Sequence, residues 1–147
     1  MAARSLAALA LLVGIALAVR AGPDPPPVGD PKTSFTVGNA TSQAEKGKTT
    51  YTVTVTGTCN LLKKDVSSFT GCSATLTPKG FTTDPDLVAL VTYPDGQPTP
   101  DGGPKSVLFT WTGVKKGTYQ GNAVMGWLDK AGVQNSQSGS IPKFDIK

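Results

Sequence analysis

The run TTYTVTVTGTC, residues 49–59, alternates without a break. Tyr51, Val53, Val55 and Cys59 fall on one parity, and Thr50, Thr52, Thr54, Thr56 and Thr58 on the other. Successive side chains of a strand point to opposite faces, so this pattern describes a strand with one buried and one wet face. Shorter runs of the same kind recur at 34–37, 72–77, 87–93, 106–112, 118–128, 133–137 and 143–146. Turn-forming residues separate them: Gly71, Pro78-Lys79-Gly80, Asp95-Gly96, Asp101-Gly102-Gly103, Lys116-Gly117 and Asp129-Lys130-Ala131-Gly132. Between residues 22 and 147 no stretch carries apolar residues at helical spacing over three turns. Seven or eight short strands with frequent turns imply an all-β fold, an antiparallel sandwich or barrel over residues 32–147.

Parity also sorts the core. Phe35, Val37, Tyr51, Val53, Val55, Ala74 and Leu76 are expected to point inward, followed by Val107, Phe109 and Trp111. Tyr119, Ala123, Met125, Trp127, Phe144 and Ile146 complete the set. The threonine row beside Val53 and Val55 then reads as the solvent face of its strand.

Upstream of this domain the composition changes. Arg4 precedes an apolar run from Leu6 to Val19, with small residues at Ala16-Leu17-Ala18 and Val19-Arg20-Ala21 as cleavage-competent exits. A charged start, a short apolar core and a small-residue exit describe a secretory signal peptide, assigned to residues 1–21. The run is shorter than the about 20 apolar residues needed to span a bilayer, so no stable membrane insertion is expected after cleavage. GPDPPPVGDP, residues 22–31, is a Pro-rich linker with extended character. The expected location is secreted, periplasmic or extracellular.

Export changes the meaning of charge and cysteine. Both arginines lie in the leader, leaving twelve lysines against ten acidic residues, a net charge of +2. The lysines are dispersed, and without arginine the bidentate contacts that favour phosphates and bases are lost, which argues against nucleic acid as a partner. Two cysteines, Cys59 and Cys72, in a chain bound for an oxidising compartment read as one disulfide closing the 60–71 loop.

Catalytic chemistry is poorly supplied. The chain has no histidine, which removes Ser-His-Asp and Cys-His machinery and the commonest general base. Glu45 is the sole glutamate, and Asp84, Asp86, Asp95 and Asp101 cluster in two Pro/Gly-bearing loops without EF-hand spacing. No catalytic residue, metal site or cofactor is therefore assigned, and the protein is read as a non-enzyme.

The C-terminal half resembles an immunoglobulin-like β-sandwich. SVLFTWTGVKKGTY, residues 106–119, is similar to the passage from strand E through a turn into strand F in bacterial extracellular immunoglobulin-like and fibronectin type III-like domains. The motif extends to Met125. The resemblance implies that Gly117-Thr118-Tyr119 carries a tyrosine corner, with the Tyr119 hydroxyl bonded to backbone upstream. It also implies that 120–146 forms a hairpin turning at 129–132. Antibody-type domains have cysteine two residues after that tyrosine, whereas this chain has Gly121, so their inter-sheet bridge is absent. A second resemblance, VTYPDGQPTPDGG at 91–103, is to transthyretin-like and carboxypeptidase-regulatory-like sandwiches, whose V-x-D-G-x-P motif sits nearer the domain start.

These readings point to a secreted, non-catalytic interaction or structural module, with an extracellular protein or glycan as partner. The 60–71 loop carries Leu62 and Phe69 beside Lys63 and Lys64, as either a binding loop or a lid folded over the core. The alternative is a carbohydrate-binding module that stacks sugars on exposed Trp127 and Tyr93.

Overall fold

The computed structural model describes residues 32–80 and 85–147. The expected leader (1–21) and linker (22–31) lie outside the described residues, as does Asp84.

Nine strands account for the described domain: β1 (Ser34–Val37), β2 (Thr41–Ala44), β3 (Tyr51–Asn60), β4 (Ser68–Lys79), β5 (Leu87–Val88), β6 (Leu90–Thr92), β7 (Lys105–Val114), β8 (Gly117–Leu128) and β9 (Gln134–Ile146). They form two antiparallel sheets. One has the order β1-β3-β7-β6, with β2 pairing β3; the other runs β5-β4-β8-β9. The alternating run thus forms β3, a central strand of the first sheet.

The inner faces supply one core. Val53, Val55, Val107 and Phe109 from the first sheet and Leu76, Ala123 and Met125 from the second are fully buried. Every residue that parity directs inward is buried or half-buried. Burying one large aliphatic or aromatic side chain contributes about 1.5–3 kcal/mol, largely offset by the entropy of ordering the chain. The sheets also meet along one side, where the Phe35 N–H donates to Gln137 Oε1 at 3.1 Å.

The strand count and several boundaries differ from the sequence reading, each for a physical reason. The run 87–93 is two strands, because the chain leaves the second sheet at Val88 and joins the first at Leu90. The buried Trp111 indole N–H bonds the Leu87 carbonyl at 3.0 Å beside this switch. Conversely, 133–137 and 143–146 belong to the single strand β9. Tyr119 pairs with Phe144 while Gly121 pairs with Ile141, so two residues of β9 oppose one of β8. This bulge accommodates Pro142, which cannot donate to a ladder, and reverses the inward parity from Ile141 to Phe144. A similar shift between Phe69 and Gly71 lets Phe69 and Cys72 both face the interior, and extends β4 into the expected loop. β2 escaped detection because TSQA is exposed throughout and carries no alternation.

Gly121 lies where the two halves of the second sheet close on the core. A Cβ there would collide with the Thr75 carbonyl oxygen and crowd Leu76 and Ile141. Gly121→Ala is expected to destabilise the domain by about 2 kcal/mol, within the range of overpacked cores. A denaturation midpoint equal to that of the wild type would contradict this packing.

Candidate functional site

Strand registers bring the sequence-selected residues to one end of the domain. Asn60 closes β3 beside Ser34, Lys105 opens β7 beside Cys59, and Ser68 opens β4 beside Leu128 at the end of β8. Loop 61–67, segment 93–104 and the 129–133 turn cluster there. Leu62, Lys63, Lys64, Phe69, Tyr93 and Trp127 all belong to this end, as do both cysteines. Tyr119 lies at the other end.

Loop 61–67 is held from two sides. The Leu62 N–H donates to Thr33 Oγ1 at 3.1 Å, and the Thr33 N–H and hydroxyl both donate to Asp65 Oδ2 at 3.3 Å. On the other side the Asp101 N–H donates to the Leu61 carbonyl at 2.7 Å, while Asp101 Oδ1 accepts the Lys63 N–H at 2.8 Å. Asp101 makes both bonds from a left-handed backbone, φ 58°, which an aspartate tolerates better than most residues. Leu61 and Val66 are fully buried in the core, Leu62 is half-buried, and Lys63 and Lys64 are exposed. The loop therefore caps the core from inside and presents its two lysines outward. The bracing roles of Thr33, Asp65 and Asp101 escaped the sequence reading because their partners lie 29 to 40 residues away.

The aromatic residues form a wall beside this cap. Phe69 meets Tyr93 edge-on, ring centres 5.7 Å apart and planes at 85°, and Phe69 pairs with Trp127 across β4 and β8. All three are half-buried. The Tyr93 hydroxyl accepts the Cys72 N–H at 3.1 Å, which ties the end of β6 in one sheet to β4 in the other. Burial raises Tyr93 above the usual tyrosine range. Tyr93 and Trp127 are thus partly covered by their own neighbours and partly open to solvent.

The cysteines lie on facing sheets, Cys59 fully buried on β3 and Cys72 half-buried on β4. Their Sγ atoms are 3.6 Å apart and both are thiols. The disulfide expected between them is not formed: the sulfurs are close but not at the about 2.05 Å of that bond. A hydrogen bond from the Cys72 thiol holds Cys59 below the usual thiol range; the same bond and burial push Cys72 up.

Aspartates at this end are committed to backbone. Asp95 Oδ2 accepts the Ser106 N–H at 3.3 Å, and Asp129 Oδ1 accepts those of Ala131 and Val133 at 2.9 Å in the β8–β9 turn. A hydrogen bond from the Ser106 side chain, then that from its N–H, lowers the Asp95 carboxyl, and the Val133 N–H lowers that of Asp129. No group of three or more potential metal ligands occurs among the described residues.

The outer face of the first sheet repeats the threonine pattern across strands. Thr54 lies between Thr41 and Thr110, and Thr58 between Thr36 and Ser106. The Thr41 and Thr54 hydroxyls are 2.7 Å apart. The single row seen in sequence is therefore part of a hydroxyl-rich face.

The opposite end holds a pocket of about 140 Å³ beside Tyr119 and Lys115, too small for a ligand site, which typically takes about 300–1,000 Å³. The Tyr119 hydroxyl donates to the Lys115 carbonyl at 3.0 Å and closes the β7–β8 corner. Nearby, Gly113 takes a φ of 69° in a β7 bulge, and its N–H donates to Glu45 Oε1 at 2.7 Å. Glu45 also accepts the Thr50 hydroxyl at 3.0 Å and pairs with Lys48 at 3.0 Å. The chain matches no family model, and no curated protein or solved structure matches it.

Two measurements test the locks at this end. The Gly113 hydrogen bond, then Lys48, lower Glu45 from 4.5 to about 2. The folded state thus binds this proton more weakly than the unfolded chain, and Glu45 stabilises fully above about pH 4.5. That contribution is expected to fade as pH falls to about 2, and the pH dependence of the denaturation midpoint should be shallower in Glu45→Gln. Identical profiles would contradict the assignment. Tyr119→Phe is expected to cost about 1 kcal/mol, the net value of one intramolecular hydrogen bond, in the same denaturation assay.

Proposed function

We propose that this is an exported, non-catalytic interaction module with an immunoglobulin-like sandwich fold. Strand order supports the fold: assigning β1-β3-β7-β6 as A-B-E-D and β5-β4-β8-β9 as C′-C-F-G reproduces the two-sheet arrangement of such domains. The Tyr119–Lys115 bond falls where a tyrosine corner belongs. The apolar leader and Pro-rich spacer support export.

The observation that carries the functional reading is the braced loop 61–67. Its buried Leu61 and Val66 and its bonds to Thr33 and Asp101 fix the backbone, while Lys63 and Lys64 remain exposed. A loop already ordered in the free protein loses less entropy on binding, and loops on a rigid scaffold commonly carry recognition. Charge is otherwise sparse on the sheets: within the strands only Lys79, Lys105, Lys143 and Asp145 are charged, all near strand ends. Electrostatic recognition therefore belongs to the ends of the domain, with an extracellular protein or glycan as partner.

The test combines export with charge reversal. N-terminal sequencing of exported protein should begin near Gly22 or Val19, and an unprocessed N-terminus would refute the leader. Lys63→Glu with Lys64→Glu should leave the unfolding midpoint within about 1 °C, since exposed substitutions away from special contacts change little. The same variant should lose at least tenfold in retention on the source organism's extracellular or envelope fraction. Undiminished retention at unchanged stability would overturn the loop as the recognition element.

A further inference from the structure

Cys59 and Cys72 sit on opposite sheets inside a domain that is fully assembled with both sulfurs reduced. Its core, braced loop and strand pairing are complete without a covalent cross-link. The two residues differ in exposure: Cys59 has no exposed surface, whereas Cys72 is half-buried. The 3.6 Å separation brings one sulfur within a short displacement of bonding to the other.

We propose that this pair is an oxidation site of the folded domain, closed into an inter-sheet disulfide by stepwise exchange with an external disulfide that enters at Cys72. The Cys72 thiol gives its proton to solvent, and its sulfur attacks one sulfur of the external disulfide. That S–S bond breaks, one thiolate leaves, and a mixed disulfide remains on Cys72. The Cys59 thiol then loses its proton, and its sulfur attacks Cys72 Sγ and expels the second thiolate. The domain loses two hydrogens, and the external disulfide is reduced to two thiols. Hydrogen bonding from Cys72 favours ionisation of Cys59 but cannot bring that buried sulfur to an outside reagent, so access sets the order of events. The product would join β3 to β4 across the core and close the segment that carries Lys63 and Lys64. The inference deepens the export reading, since an oxidising compartment supplies disulfide oxidants, but the exchange itself is tested in vitro and stands or falls apart from it.

The experiment treats the folded, reduced chain with oxidised glutathione and follows intact mass and free thiols. Wild type should lose both thiols together, with a mass two hydrogens lower and no retained glutathione. Its unfolding midpoint should rise by on the order of 10 °C and fall back on reduction. Cys59→Ala should accumulate a stable glutathione adduct on Cys72. Cys72→Ala should leave Cys59 unmodified until denaturant is added, which also shows that the variant is folded. Native wild type that keeps both thiols, or an adduct on Cys59 rather than Cys72, would overturn the proposal.

Discussion

Neither sheet can hide its apolar face alone, and their mutual burial is the constraint on which the remaining structure depends. Val53, Val55, Val107 and Phe109 have no exposed surface because Leu76, Ala123 and Met125 cover them from across the gap. A dry interface of this kind has no place for unpaired polar groups, since burying one without a hydrogen bond costs several kcal/mol on the scale of apolar solvents. The domain obeys that rule: among the described residues no buried side-chain nitrogen or oxygen lacks a partner. Trp111, which brings a polar N–H into the core, meets it with the Leu87 carbonyl at the segment that changes sheets.

Covering the open ends of this interface sets the character of the loops. At one end Leu61 and Val66 turn inward and are held by Thr33 and Asp101; at the other, Tyr119 and Glu45 bind backbone around the β7–β8 corner. The outward surfaces are then free to carry different chemistry. Threonine ranks occupy the first sheet, while lysines concentrate in turns and at strand ends. The same loop that plugs the core also holds its lysines in fixed positions. Structural bracing and recognition can thus reside in one segment, on different residues.

The strands and inward-facing residues were legible because period two is a local property. The TVTVT run of β3 and the VLFTW run of β7 each state their buried face without reference to any partner. Reading failed where the ladder departs from strict alternation. Pro142 marked a break in sequence, yet a bulge carries β9 through it and changes parity. The 87–93 run looked continuous because its own residues do not reveal which sheet each half joins. The candidate end was partly legible: six residues chosen from separate segments converge, and parity already turned Trp127 toward the interior, where it is half-buried. The brace on Lys63 was invisible, since an Asp-Gly turn gives no sign that its carboxylate reaches another loop. An even count led to the expectation of a Cys59–Cys72 bond, but a count does not specify whether the sulfurs are joined, and here they lie 3.6 Å apart.

The claim that one interior unites the two sheets has a direct measurement in native-state hydrogen exchange. Amides of β3 and β7 in the first sheet, and of β4 and β8 in the second, should share a slowest-exchanging class whose opening free energy equals that of global unfolding, with the exposed strand β2 exchanging earlier. Central strands of one sheet opening at markedly lower free energy than those of the other would contradict a shared core.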